Sequence, residues 1–197
     1  MQDLNAISQQ QQAEAREVLA HTRLIEIWQA IGARVEAVGS FRNGTLIRHL
    51  DIDFHIYTDP FSLADSFRAM AELAEVPGME RIEFLNQLST DEKCTEWHVR
   101  YRHTTGRLWT FDLIHLRPDS PYVGHFEKVA EAVRVALTPE IQEAVLRVKH
   151  GFPEGESAPG IRVYQAVFQD GVRSHEEFLA WDLSHPEPVD YFWMPKA

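Results

Sequence analysis

The run Asp51-Ile52-Asp53-Phe54-His55-Ile56-Tyr57 constrains the fold of this chain more than any other segment. Its alternation and its β-branched and aromatic content are those of a strand, whose successive side chains point to opposite faces. Ile52 and Phe54 therefore face a core, while Asp51, Asp53 and His55 share the other face. Neighbouring carboxylates repel each other, which makes them costly as ornament. They suit a cradle for hard divalent cations, which prefer oxygen ligands.

Just upstream, residues 34–38 (Arg-Val-Glu-Ala-Val) alternate as a strand, and Gly39-Ser40 breaks it. A Gly-Ser turn between a strand and a helix offers backbone N–H groups and a hydroxyl to phosphate oxygens. A short helix starting at Ser40 is expected, with a turn signal at Asn43-Gly44.

A site that handles phosphate with two metal ions needs further carboxylate ligands. Residues 108–116 (Leu-Trp-Thr-Phe-Asp-Leu-Ile-His-Leu) are almost wholly apolar, as expected of a central strand buried on both faces, and Asp112 sits mid-run. An unpaired buried charge costs several kcal/mol. Asp112 thus needs a metal or a partner such as Arg100 or Arg107. His55 shares the face of the two aspartates and either borders the site or is a partly exposed strand residue. His98, Arg100 and Arg102 share a face that reads as solvated.

Around these motifs, helical spacing covers residues 8–31 up to Gly32, with the Gln run 9–12 starting a solvated helix. A helix is expected over 62–75 and strands over 80–86, 96–103 and 107–116, the last two joined as a hairpin by Thr104-Thr105-Gly106. Helices follow over 125–137 and 139–150, then a loop over 151–160, then helices over 161–170 and 174–182, with Thr138 and Ser174 as caps. The C-terminal aromatics Phe178, Trp181, Tyr191, Phe192 and Trp193 read as packing residues.

These elements predict an α+β fold, a mixed sheet of about five strands with packed helices. Residues 1–120 are expected to form the core with its N-terminal helix, and 121–197 a helical region packed on it. At 197 residues and 44% apolar content the chain has enough material for a real core. The formal net charge of −11 disfavours polyanion partners such as nucleic acid or an anionic membrane. The single cysteine, Cys94, excludes an intramolecular disulfide. The ten histidines show no zinc spacing. The N-terminus lacks the marks of a secretory signal and no stretch has the length of a membrane span, so a cytoplasmic protein is expected.

Val38, Gly39 and Ser40, a ten-residue spacer, Asp51 and Asp53, and a later strand acid at Asp112 together resemble the polymerase-β-like nucleotidyltransferase superfamily, in particular a small bacterial-type member. Gly44 fits a glycine often found just after the turn. The resemblance implies that Asp51, Asp53 and Asp112 are catalytic and bind two Mg²⁺ ions, Asp112 also serving as general base. It implies that Gly39 and Ser40 touch the phosphates of a nucleoside triphosphate such as ATP, joined by Gly44 and by Arg42 as a source of positive charge, with Arg48 another. Small members commonly carry Arg before that glycine and Ser before the first aspartate; here Asn43 and Leu50 stand there. The reaction implied is transfer of a nucleoside monophosphate to a hydroxyl of a small molecule or protein, with release of pyrophosphate. The alternative is a non-catalytic module with a protein partner, like the antitoxin of a toxin pair.

Overall fold

The computed structural model describes residues 3–195; residues 1–2 and 196–197, the ends of the polar start and of the aromatic tail, lie outside the described residues. The single helix expected over 8–31 is two. Helix α1 (Leu4–Thr22) is capped by Asp3, whose carboxylate accepts from Ala6 N–H at 3.0 Å, and α2 (Leu24–Ala30) follows directly. Between them Arg23 adopts a left-handed conformation, φ 51°. The break lets α2 turn to pack on another helix and on the first strand while α1 runs on behind the site. The glutamine run is not solvated throughout: Gln11 and Gln12 are buried, and Gln12 Nε2 donates to the Ser40 carbonyl at 3.4 Å.

Strand β1 (Arg34–Val38), the short helix α3 (Gly39–Asn43), β2 (Asp51–Tyr57), α4 (Leu63–Ala74), β3 (Met79–Asn86), β4 (Cys94–Arg102) and β5 (Leu108–Leu116) complete the first part. The sheet order is β1-β2-β5-β4-β3, with β2 and β5 parallel and the other pairs antiparallel. One face carries Ile52, Phe54, Trp97, Val99, Trp109, Phe111 and Leu113, buried with apolar residues of α1, α2 and α4 in a single core. Burial of such side chains contributes roughly 1.5–3 kcal/mol each, which is what fixes the register.

The opposite face looks into a cleft. Over it stand α5 (His125–Ala136), α6 (Pro139–Gly151) and α7 (Gly160–Gln169), and α8 (His175–Ser184) packs against α6 and α7. Thr138 and Ser174 cap α6 and α8 as expected, accepting from Ile141 and Glu177 N–H at 3.3 and 3.2 Å. These helices bury a second apolar cluster, with Val145, Val163, Tyr164, Phe178 and Trp181 at its centre. Among the described residues no helix is long and apolar enough to cross a membrane.

Candidate functional site

The β1–α3 turn makes sense only with glycine at 39. Gly39 has φ 63°, and a Cβ placed on it would overlap the Asp53 carboxylate. Val38 pairs with Asp53 across β1 and β2, so the turn and the carboxylate are held against each other by the ladder itself. Asp53 in turn pairs with Asp112 across β2 and β5, and Asp112 with His98 across β5 and β4. The side chains of one such row share a face, so Asp53, Asp112 and His98 stand in line on the cleft floor, with Asp51 beside Asp53 on the same strand face.

Asp112 is not buried on both faces. Strand β5 alternates, with Trp109, Phe111, Leu113 and His115 in the core and Leu108, Thr110, Asp112 and Ile114 towards the cleft, and the Asp112 side chain is 38% exposed. Its partner is neither Arg100 nor Arg107. His98 Nδ1 lies 2.6 Å from Asp112 Oδ1, and His98 Nε2 lies 3.1 Å from Glu96 Oε2. Both neighbours are carboxylates, so both ring nitrogens donate. Burial alone would lower the pKa of His98, but the bonds to Asp112 and Glu96 outweigh it and the pKa is raised. The solvated reading of that strand face fails at His98 and holds for Arg102, which pairs at the surface with Glu80.

Asp53 carries the strongest electrostatic tension in the cleft. Its enclosure, followed by the charges of Asp51 and Asp112, pushes its pKa well up, against the opposing pull of Lys149. Among the described residues no lysine or arginine forms an ion pair with any of the three aspartates; only His98 does. Oxygen donors that crowd together without a resident cation fit hard divalent ions, and this donor set offers nothing softer.

The cleft has two compartments that meet at Ser40, Asp51 and Gly160. The first, a chamber of about 540 Å³, runs from Gly39, Asp53 and Asp112 to Cys94, Tyr122 and Tyr191. The second, about 770 Å³, is walled by Arg48, Arg100, Arg107 and Lys149. Lys149, on α6, donates from Nζ to Ser40 Oγ at 2.5 Å and stands 5.5 Å from the centre of the Tyr164 ring.

Residues 20–118 match the family described as the nucleotidyltransferase domain, a stretch that holds the Gly-Ser turn and all three aspartates. The chain belongs to this nucleotidyltransferase family. No curated protein sequence matches it. Many solved structures share the fold, and three serve as examples. The non-canonical poly(A) polymerase complex GLD-2–GLD-3 matches over 98% of this chain and 66% of that chain, at 13% identity and a TM-score of 0.58. The MgGTP-bound Cid1 poly(U) polymerase matches over 72% and 42%, at 19% identity and 0.53. A cytoplasmic RNA terminal U-transferase matches over 72% and 40%, at 20% identity and 0.52. The chain thus spans from about two fifths to just under two thirds of the length of those chains.

The residues expected at the site divide into two groups. Gly39, Ser40, Asp51, Asp53 and Asp112 all line the cleft. Arg42 is exposed and lines neither compartment; its charge acts on Glu131 of α5. Gly44 closes α3 with φ 69°, its carbonyl accepting from Ser8 Oγ and Gln142 Nε2 at 3.3 and 3.1 Å, and it too lies outside the cleft. Arg48 does line the second compartment and is tied to the His150 carbonyl at 3.0 Å. His55 is buried, 6% exposed, in the chamber wall, 3.8 Å from Glu127 Oε2, and burial lowers its pKa to about 4. Sequence reasoning missed Lys149, since a basic residue in the last turn of a helix is ordinary complement to the helix dipole. It missed Glu96 and His98 because pairing across strands is invisible before the register is known.

Proposed function

We propose that the protein is a divalent-metal-dependent nucleotidyltransferase that moves a nucleoside monophosphate from a nucleoside triphosphate such as ATP onto a hydroxyl of a small molecule or protein and releases pyrophosphate. The observation that carries this reading is the cross-strand row in which Gly39 abuts Asp53 and Asp53 stands beside Asp112, with Asp51 on the same face. The three carboxylates would hold two Mg²⁺ ions, which when bound supply positive charge to the phosphoryl oxygens.

The chain's own groups supply the rest. Ser40 and Lys149, already bonded to each other, would meet the phosphates that leave. Asp112, oriented through Oδ1 by His98, would take the proton of the acceptor hydroxyl. The acceptor oxygen then forms its bond to the α-phosphorus as the bond to the β-phosphate oxygen breaks, and pyrophosphate carries away the electron pair. Positioning accounts for most of the expected rate gain. The RNA-directed activities named for the similar structures belong to those proteins, and the net charge of −11 supports an acceptor other than a polynucleotide.

The test is thermal unfolding with each nucleoside triphosphate and Mg²⁺, followed by pyrophosphate release with candidate acceptors. The wild-type protein should be stabilised by about 2.7 kcal/mol at a hundredfold excess of ligand over Kd. Asp53→Ala should abolish release, and undiminished release from that variant would overturn the mechanism.

A further inference from the structure

The ten histidines show no zinc spacing along the chain, but the fold brings two of them, 82 positions apart, ring to ring. His21 stands in the last turn of α1, and His103 follows β4 where the hairpin to β5 begins. His103 Nε2 lies 3.4 Å from His21 Nδ1, with the ring centres 5.4 Å apart. That separation is longer than the roughly 2.7–3.2 Å of an N–H donor bond. Two imidazole nitrogens, each about 2.0–2.1 Å from one tetrahedral ion, would stand about 3.3–3.4 Å apart. The contact fits a shared ion better than a shared proton.

The proton of the His103 ring is placed from its other side. The Thr105 hydroxyl donates to Glu14 Oε1 at 3.2 Å, so its one hydrogen is engaged there and its oxygen accepts from His103 Nδ1, 3.1 Å away. Glu14 Oε1 itself lies 3.6 Å from the same nitrogen. In the neutral ring Nδ1 therefore carries the hydrogen, and Nε2 turns a free lone pair toward His21. Ligating histidines are held in this way, a carboxylate behind one nitrogen fixing the tautomer and the ring plane while the other nitrogen faces the metal. Glu14 is in turn fixed by the Arg107 guanidinium and by Trp109 Nε1, which donates to Oε1 at 3.4 Å. His103 is buried, 4% exposed, whereas His21 is exposed and leaves an ion a path from solvent.

We infer that His21 and His103 form a binding site for a divalent transition ion such as Zn²⁺, which clamps the end of α1 to the β4–β5 hairpin. Among the described residues no third histidine, cysteine or carboxylate joins the two within 4.8 Å, so water would complete the shell. The site differs in kind from the aspartate row. Imidazole nitrogen suits zinc, copper or nickel, while a set of carboxylates suits magnesium or calcium, and neither histidine lines the cleft. The clamp would still reach the cleft indirectly, because α1 also braces the turn there through Gln12 and the Ser40 carbonyl.

The experiment follows the imidazole rings of the full chain by NMR that correlates ring nitrogens with ring protons, so that each histidine reports for itself. In the metal-free protein His103 should be the Nδ1–H tautomer. With Zn²⁺ added at micromolar concentration in excess Mg²⁺, His103 Nε2 and His21 Nδ1 should shift together and saturate together. His21→Ala, at an exposed position, should weaken the zinc response of His103 by about tenfold or more, and Glu14→Gln should weaken it by on the order of tenfold. His21→Ala and the tautomer of the unsubstituted protein keep the test decisive if Glu14→Gln folds poorly. An Nε2–H tautomer of His103 without metal, an undiminished zinc response in His21→Ala, or a response only at millimolar Zn²⁺, the mark of an adventitious ion only, would each overturn the inference.

Discussion

At the scale of single residues, Gly39 is the position where the fold and the proposed chemistry depend on the same missing atom. Gly39→Ala would place a methyl group on Asp53 and force a residue with a Cβ into φ 63°. The left-handed backbone costs roughly 1–2 kcal/mol, which the domain survives. The atom that must yield is the end of a side chain, so Asp53 rotates out of its row. We expect a modest drop in the urea midpoint together with a loss of pyrophosphate release on the order of 100-fold, the typical effect of a misplaced reacting group. A variant of full activity would show that Asp53 does not act from its position against the turn. This is also where the sequence is most readable, because Gly39, Ser40, Asp51 and Asp53 lie within one short stretch and alternation alone places the acids. Asp112 was readable for a reason the structure revises: it stands out in an apolar run, but its face of β5 opens on the cleft and His98 partners it.

At the scale of elements, the lid of the cleft is held to its floor by a few long-range bonds. Tyr164 of α7 is buried, and its hydroxyl meets Asn43 Nδ2 at 3.1 Å and Thr45 Oγ1 at 2.7 Å. Tyr164→Phe would leave both buried groups without that partner, at a cost of about 1–3 kcal/mol. The expected result is a lower urea midpoint with an unchanged m-value, and a weaker nucleotide affinity because α7 and Lys149 share this contact region. An unaltered midpoint would mean that Asn43 and Thr45 find other partners. None of this was legible in the sequence, since these bonds join residues 121 and 119 positions apart. The break at Arg23 was hidden for a different reason. The helical spacing of apolar residues continues through it, and only tertiary packing of α2 decides where the chain bends. The strands, by contrast, were readable to within two residues, because one buried face and Gly-containing turns punctuate them clearly.

At the scale of the whole molecule, pH should set stability through buried histidine. His115 is fully buried, stacked 4.4 Å from Phe61, with Nε2 bonded to Thr58 Oγ1 at 2.9 Å and Nδ1 without a partner among the described residues. Burial lowers its pKa to about 4, below the 6.5 of the unfolded chain. Between these values the unfolded chain binds a proton that the native state does not. The stability this group contributes is therefore fully present above about pH 6.5 and is lost as pH falls towards 4, on the order of 3 kcal/mol in all. The imidazole resonances of His115 should remain those of the neutral ring until the protein unfolds. Protonation near 6.5 in the native state would refute the assignment. Net charge, the one whole-molecule property the sequence states outright, concealed the sorting that matters here, because the sum of −11 averages an acidic chamber and a basic compartment side by side.

The bond between Lys149 and Ser40 spans 109 positions. During synthesis the ribosome therefore releases the turn and all three aspartates well before the lysine that offsets their charge. A nascent chain at that stage presents its acids to solvent with no ammonium from α6 nearby, and so could load metal before it could grip a triphosphate. On the proposed chemistry, the grip on a triphosphate would therefore be completed only late in translation, once α6 has emerged.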